Sequence, residues 1–274
     1  MVLTEFQRHV CRLIAEHRIE SGESYLAGGA TLNELISAPR ISRDLDLFHD
    51  TGQALEWSWD ADRRLLSDNG FGISVVRERS SFVEAEVWRD DDRVLMQWAR
   101  DAAYRFFPLV QHDELGLVLH PFDLATNKVL ALVGRLEVRD WIDVIECGRR
   151  LQPLGYLCWA ASGKDPGFSP ASILEHAGRS SRYSVEEVGA LSFAGQAPDA
   201  AALANEWRRM MEEGLEVVAA LPAKHVGTCV LDSDRALFRG DLADLTRCLR
   251  RCQITFHTGA IRGTLPSPVI EPGS

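Results

Sequence analysis

The chain has 274 residues, 46% hydrophobic and 26% charged, the balance of an ordinary soluble globular protein with core enough for one large domain or two modest ones. A formal net charge of −10 argues against a nucleic-acid binder that works through its whole surface, since that affinity comes from Lys and Arg neutralising phosphates; a local basic patch is still open. No stretch approaches the roughly 20 apolar residues of a bilayer-spanning helix. No secretory signal is read after Met1, and the six cysteines (11, 147, 158, 229, 248 and 252) follow no secreted framework. Reduced thiols in a cytoplasmic protein without a membrane partner are therefore expected.

Phe6, Val10, Leu13 and Ile14 recur with helical period and predict an amphipathic helix over 4–18. After a polar turn, Tyr25-Leu26-Ala27 reads as a short strand entering Gly28-Gly29, and 30–36 as a helix stopped by Pro39. Arg40 to Arg43 lead into an apolar strand, Asp44-Leu45-Asp46-Leu47-Phe48. A helix over 53–68 ends at Asp68-Asn69-Gly70. Strand-like runs follow over 71–79, 82–88 and 93–100, the last two joined by the turn-forming Arg89-Asp90-Asp91-Asp92. Beyond Pro121 the period becomes helical. Asp123 is read as the cap of a helix reaching about Gly134, and a second helix covers 138–150. The Gly- and Pro-rich stretch 151–170 reads as a boundary. Helices are expected over 170–178, 184–192, 199–221 and 239–253, and a loose tail from Gly259. The fold class is thus α/β (α+β): a mixed sheet with flanking helices over 1–150, then a mostly helical domain over 151–274.

Two constellations carry chemistry. Asp44 and Asp46 are one residue apart on a strand, so their side chains point to one face. Like charges held that close are costly unless a cation sits between them, and hard oxygen ligands suit Mg²⁺ held jointly with a phosphate substrate. An acidic strand end facing water would leave the same pattern. Gly28 and Gly29, after a strand and opening a helix, let backbone N–H groups approach a polyphosphate, although a glycine pair alone equally marks a tight turn. Ser42 would donate to a phosphate oxygen or make a local cap. In the second constellation, Lys128 and Arg135 are seven apart and share a helix face, with Asp140 and Asp143 on the next helix placed to orient them. A salt-bridged helix hairpin is the alternative.

These residues resemble a known family. Gly28-Gly29-Ala30-Thr31-Leu32, followed by Arg40-Ile41-Ser42-Arg43-Asp44-Leu45-Asp46-Leu47-Phe48, is similar to the signature of AbiEii-type nucleotidyltransferases. That family lies in the polymerase-beta-like superfamily and includes type IV toxin–antitoxin toxins. The run 121–143 resembles the family's later motif, with Asp123, Lys128, Arg135, Arg139, Asp140 and Asp143 at the matching positions. The resemblance covers about 120 residues and implies a nucleotidyltransferase core over 1–150. It implies Mg²⁺ on Asp44 and Asp46, and nucleotide contacts from Gly28, Gly29, Ser42, Arg135, Arg139, Asp140 and Asp143. Lys128 would stabilise developing charge. The implied reaction is transfer of NMP from an NTP to an acceptor hydroxyl. By analogy the acceptor is the 3′ end of a tRNA, and the role that of a toxin neutralised by a cognate antitoxin.

One position departs from the pattern. The superfamily usually carries a third carboxylate on a later strand, and here that frame puts Gln97 in its place, an amide that accepts a bond but carries no charge. Asp101, Glu84 and Glu86 are candidate substitutes. The departure keeps open a second reading, a catalytically degenerate nucleotide-binding or interaction protein of the same fold. A haloacid-dehalogenase-type phosphatase would need Thr or Val shortly after the second aspartate, where this chain has Leu47-Phe48. Zinc on Cys248, Cys252 and His257, with Cys229 and His225 upstream, lacks the usual paired spacing. The seven tryptophans read as core, with Trp98 beside Gln97 as a candidate border of the site.

Overall fold

The computed structural model describes residues 3–180, 183–268 and 270. In chain order it runs α1 (Glu5–Ser21), β1 (Ser24–Ala27), α2 (Gly28–Leu35), β2 (Arg40–Ile41), β3 (Asp44–His49), α3 (Gly52–Asp68), β4 (Gly72–Arg79), β5 (Phe82–Arg89) and β6 (Asp92–Arg100). Next come β7 (Tyr104–Arg105), β8 (Val110–His112), β9 (Gly116–Val118), α4 (Pro121–Arg135), α5 (Val138–Arg150), α6 (Leu154–Ala161) and α7 (Pro170–Ala177). The last are α8 (Val185–Gly189), β10 (Ser192–Phe193), α9 (Ala200–Ala220), β11 (Cys229–Leu231), α10 (Leu242–Arg250), β12 (Thr255–His257) and β13 (Ala260–Ile261). Two compact units form: Met1–Ala103 with Leu109–His120, and Tyr104–Pro108 with Pro121–Ser274.

The first unit is built on a seven-stranded mixed sheet of order β4-β5-β6-β3-β1-β9-β8 among the described residues, with β3 parallel to β6 and β1 parallel to β9. Strict alternation along β3, β5 and β6 sends Leu45, Leu47, Val83, Ala85, Val87, Val94, Met96 and Trp98 to one face. There they form one core with Phe6, Val10 and Ile14 of α1 and Leu55, Trp59 and Leu66 of α3. Burying each of the Val, Leu, Ile, Phe and Met side chains contributes roughly 1.5–3 kcal/mol. Thr4 starts α1 with a capping box to Gln7, Gly22 ends it at φ 64°, and Thr51 caps α3. The core also holds a polar chain. Arg18 and Trp98 Nε1 both donate to Asp62, while His49 joins Ser24 Oγ at 3.0 Å and the Ala99 carbonyl at 3.2 Å.

The second unit is mostly helical. The core residues Tyr156, Trp159, Val217, Leu221, Val230, Phe238 and Leu245 join α6, α9 and α10 to the β11–β12 pair. The expected boundary over 151–170 is instead α6, and the units divide at His120 rather than at residue 150, so α4 and α5 group with the helical unit. Gly155 and Gly163 within that stretch are packing residues. A Cβ on Gly155 would stand 2.9 Å from the Gly214 carbonyl oxygen, and one on Gly163 only 2.2 Å from that of Gly227. Asp123 does not cap α4. It lies in the first turn, fully buried, and accepts from the Phe106 and Phe107 backbone N–H groups at 2.8 and 3.1 Å. The tail is also tied down, since Ala260–Ile261 pairs with Tyr104–Arg105 and the Thr264 N–H donates to the Phe106 carbonyl. The expectation for that tail at 269 and 271–274 lies outside the described residues.

Candidate functional site

In the sheet unit the site is set by strand parity. Asp44 and Asp46 alternate with buried Leu45 and Leu47 and stand together on the half-exposed face of β3. The turn from β1 into α2 meets them there. Ala27 is the register partner of Asp46, and Gly28 follows at φ 71°. A Cβ on Gly28 would fall 1.7 Å from Asp46 Oδ2, so only glycine lets the chain turn against that carboxylate. Gly29 is buried at the start of α2, whose N-terminal N–H groups open beside it. Ser42 and Asp44 line a cavity of ≈ 350 Å³ with Arg43, Glu86 and Arg93, and the Ser42 carbonyl accepts from Gln7 Nε2 at 3.1 Å.

Gln97 sits on β6 directly opposite Asp46, and Glu84 on β5 directly opposite Gln97. These three side chains form a row across the sheet, with Gln97 Nε2 donating to Glu84 Oε1 at 2.9 Å. Glu86 lies in the neighbouring row, opposite Leu95, and 3.5 Å from Arg93. Asp101 is no substitute for a carboxylate at Gln97. Four residues further on, about 13 Å along an extended strand, it lies past the end of β6, where its N–H donates to the His49 carbonyl. Trp98 has the opposite parity to Gln97, so it faces the core and does not border the site. Trp57, also expected in the core, is 70% exposed on α3.

In the helical unit Lys128 Nζ lies 2.9 Å from Asp140 Oδ1 and 3.2 Å from Asp143 Oδ2. Arg135 Nε lies 2.5 Å from Asp140 Oδ2. Burial alone would push the Asp140 carboxyl up, but the hydrogen bonds and charges of Arg135 and Lys128 outweigh it and hold the group below the usual carboxylate range. Arg139 is not in this cluster; its Nε lies 2.7 Å from Glu137. One partner the sequence did not disclose is Lys164, 2.8 Å from Asp123 Oδ1 and more than 40 residues away in the chain. The zinc candidates do not converge. Cys229 and His257 are register partners, but His257 bonds the Phe106 carbonyl at 2.8 Å and Cys252 is exposed. All six cysteines are free.

The donor set on β3 fits a hard divalent cation: two carboxylates on one face, a neutral amide opposite, and a glycine backbone against one carboxylate. Among the described residues no group of three His, Cys, Asp or Glu side chains converges. A Mg²⁺ there would draw its other ligands from the amide, water and phosphate.

A mixed sheet entered by a glycine-led helix and carrying two carboxylates on the next strand defines a nucleotidyltransferase fold. Two solved structures agree with this fold. A candidate nucleotidyltransferase from Helicobacter pylori superposes with TM-score 0.53 at 16% identity, covering 80% of this chain and 99% of that one. JHP933, also from Helicobacter pylori, gives TM-score 0.52 at 15% identity over 79% and 95%. The nucleotidyltransferase toxin MenT4 of Mycobacterium tuberculosis gives 0.49 at 16% over 80% and 83%. No family model matches the chain, and no curated protein matches it in sequence. Among the described residues no helix is long and apolar enough to cross a membrane.

Proposed function

We propose that this chain is a Mg²⁺-dependent nucleotidyltransferase. The observation that carries the reading is the contact of the Gly28 turn with Asp46, which joins a phosphate-approach loop to a same-face carboxylate pair. Asp44 and Asp46 would hold the cation, which would supply charge neutralisation to the phosphates and polarisation to the α-phosphoryl group. Gly28, Gly29 and the N-terminus of α2 receive the phosphate oxygens, and Ser42 donates to one of them. The acceptor hydroxyl oxygen bonds to the α-phosphorus as the bond to the bridging oxygen breaks. Pyrophosphate leaves with both electrons of that bond, and the hydroxyl proton passes to water. Lys128, Arg135, Arg139, Asp140 and Asp143 match the family's later motif, and it is the resemblance that assigns Lys128 to the charge developing on the leaving group.

The acceptor proposed is the 3′ end of a tRNA, and the biological role that of a toxin with a cognate antitoxin. Both come from the resemblance of the sequence to AbiEii-type proteins. A local basic patch suits such an acceptor: Arg247, Arg250 and Arg251 are exposed at one end of α10 in an otherwise acidic chain. Incubation with Mg²⁺, each labelled NTP and total tRNA tests the reading. Label transfer that Asp46→Ala abolishes is expected. A second reading, a nucleotide-binding protein without turnover, draws on Gln97 and the two-carboxylate donor set. Metal-dependent NTP binding without transfer to any acceptor would favour it.

A further inference from the structure

Gln97 lies between two carboxylates of one row, opposite Asp46 on one side and Glu84 on the other. Its nitrogen is turned to Glu84 at 2.9 Å. An amide has one donating and one accepting end, whereas a carboxylate only accepts, so Glu84 admits a single orientation of the Gln97 head group. With the nitrogen spent on β5, the oxygen is the end left for the β3 side of the row. Donation to an anion also draws electron density onto the amide oxygen, because coupled hydrogen bonds polarise one another.

Resting on the functional reading above, we infer that Glu84 is a positioning residue for the metal–nucleotide site. It fixes and polarises the Gln97 amide so that its oxygen serves as a neutral third donor beside Asp44 and Asp46. Negative charge is thereby kept in the row but moved one strand outward, about 5 Å further from the cation. Glu86 cannot take this part, since it belongs to the next row and faces Arg93. Outer partners that orient and tune a ligand typically change metal affinity by about 10–100-fold.

The test uses Mn²⁺ titrated into the full chain with non-hydrolysable analogues of ATP, GTP, CTP and UTP in turn, free Mn²⁺ being read by electron paramagnetic resonance. Glu84→Ala is expected to weaken Mn²⁺ binding about 10–100-fold at an unchanged melting temperature, as befits a half-exposed side chain. In a Gln97→Ala background the same substitution is expected to do nothing more. Unchanged affinity in Glu84→Ala, or an equal loss in both backgrounds, overturns the inference; the latter would mean that Glu84 acts only as a distant charge. Asp46→Ala separates the two levels. If it leaves Mn²⁺ affinity intact, or if the unmodified chain binds no Mn²⁺, the site itself is wrong and the role of Glu84 goes with it. Loss in Asp46→Ala with no loss in Glu84→Ala sinks only the inference.

Discussion

Lys128 Nζ and Asp140 Oδ1 lie 2.9 Å apart, and the carboxylate is fully buried. Asp143, equally buried, approaches the same ammonium, so a single lysine of α4 answers two carboxylates of α5. Removing the cation takes this ammonium from Asp143 and leaves Asp140 to the half-exposed Arg135 guanidinium. Lys128→Ala is therefore expected to lose about 3–5 kcal/mol of stability, read from urea unfolding. A loss under about 1 kcal/mol would show that this ion cluster does not hold α4 to α5. Any activity lost by Lys128→Ala must accordingly be judged against its folded fraction.

Gly28 and Gly70 both have left-handed backbone, at φ 71° and 80°, but only Gly28 has a neighbour in the way of a Cβ. Gly70→Ala should show backbone strain alone, about 1 kcal/mol. Gly28→Ala should cost more, and should also displace Asp46 and weaken Mn²⁺ binding. Thermal unfolding of the two variants side by side isolates the contact. Equal costs and equal Mn²⁺ affinity would remove Gly28 from the site.

His49 is wholly buried, and burial pushes its imidazole down from 6.5 to about 4, with the Ala99 carbonyl only partly offsetting this. The unfolded chain then binds more protons than the folded one between these values. Stability is accordingly complete above about pH 6.5 and falls as the pH drops toward 4, by roughly 3 kcal/mol in all. Replacing the ring in His49→Gln is expected to flatten that limb of the stability–pH curve. An unaltered limb would assign acid sensitivity to other groups.

Asp123 joins two backbone N–H groups of the 104–108 segment to the ammonium of Lys164. Asp123→Ala takes the carboxylate from both buried N–H groups and from Lys164, which keeps the Asn127 side chain at 2.8 Å, for an expected loss of about 3–5 kcal/mol. Hydrogen exchange should show the Phe106 and Phe107 amides opening first. Protection retained at those amides would contradict this assignment.

Local periodicity disclosed much of the fold. Alternation in Asp44–His49 and Asp92–Arg100, the stop at Asn69-Gly70 and the Asp199 cap of α9 each arise from neighbours in sequence. What escaped depends on distant partners. Gly155 reads as a loop residue until Gly214, 59 positions later, is seen to need the space. The three-residue strands β8 and β9 are too short for a period to show. Asp123 resembles a cap because capping uses the same short acceptor that here serves another segment. At the candidate site, Asp44 and Asp46 were legible from parity. The Gln97–Glu84 bond was not, because it depends on the register between β5 and β6.

That register is fixed by a turn of two residues, Asp90 and Asp91, between the partners Arg89 and Asp92, with Asp90 at φ 56°. On β6 the neighbours Gln97 and Trp98 serve opposite faces. One residue inserted between the turn and Gln97 would invert them, sending an indole into water and an amide into the hydrocarbon core. The phase of this strand thus keeps the chemistry of the chain in step with its ability to fold. Drift can alter what Gln97 becomes far more easily than where it stands.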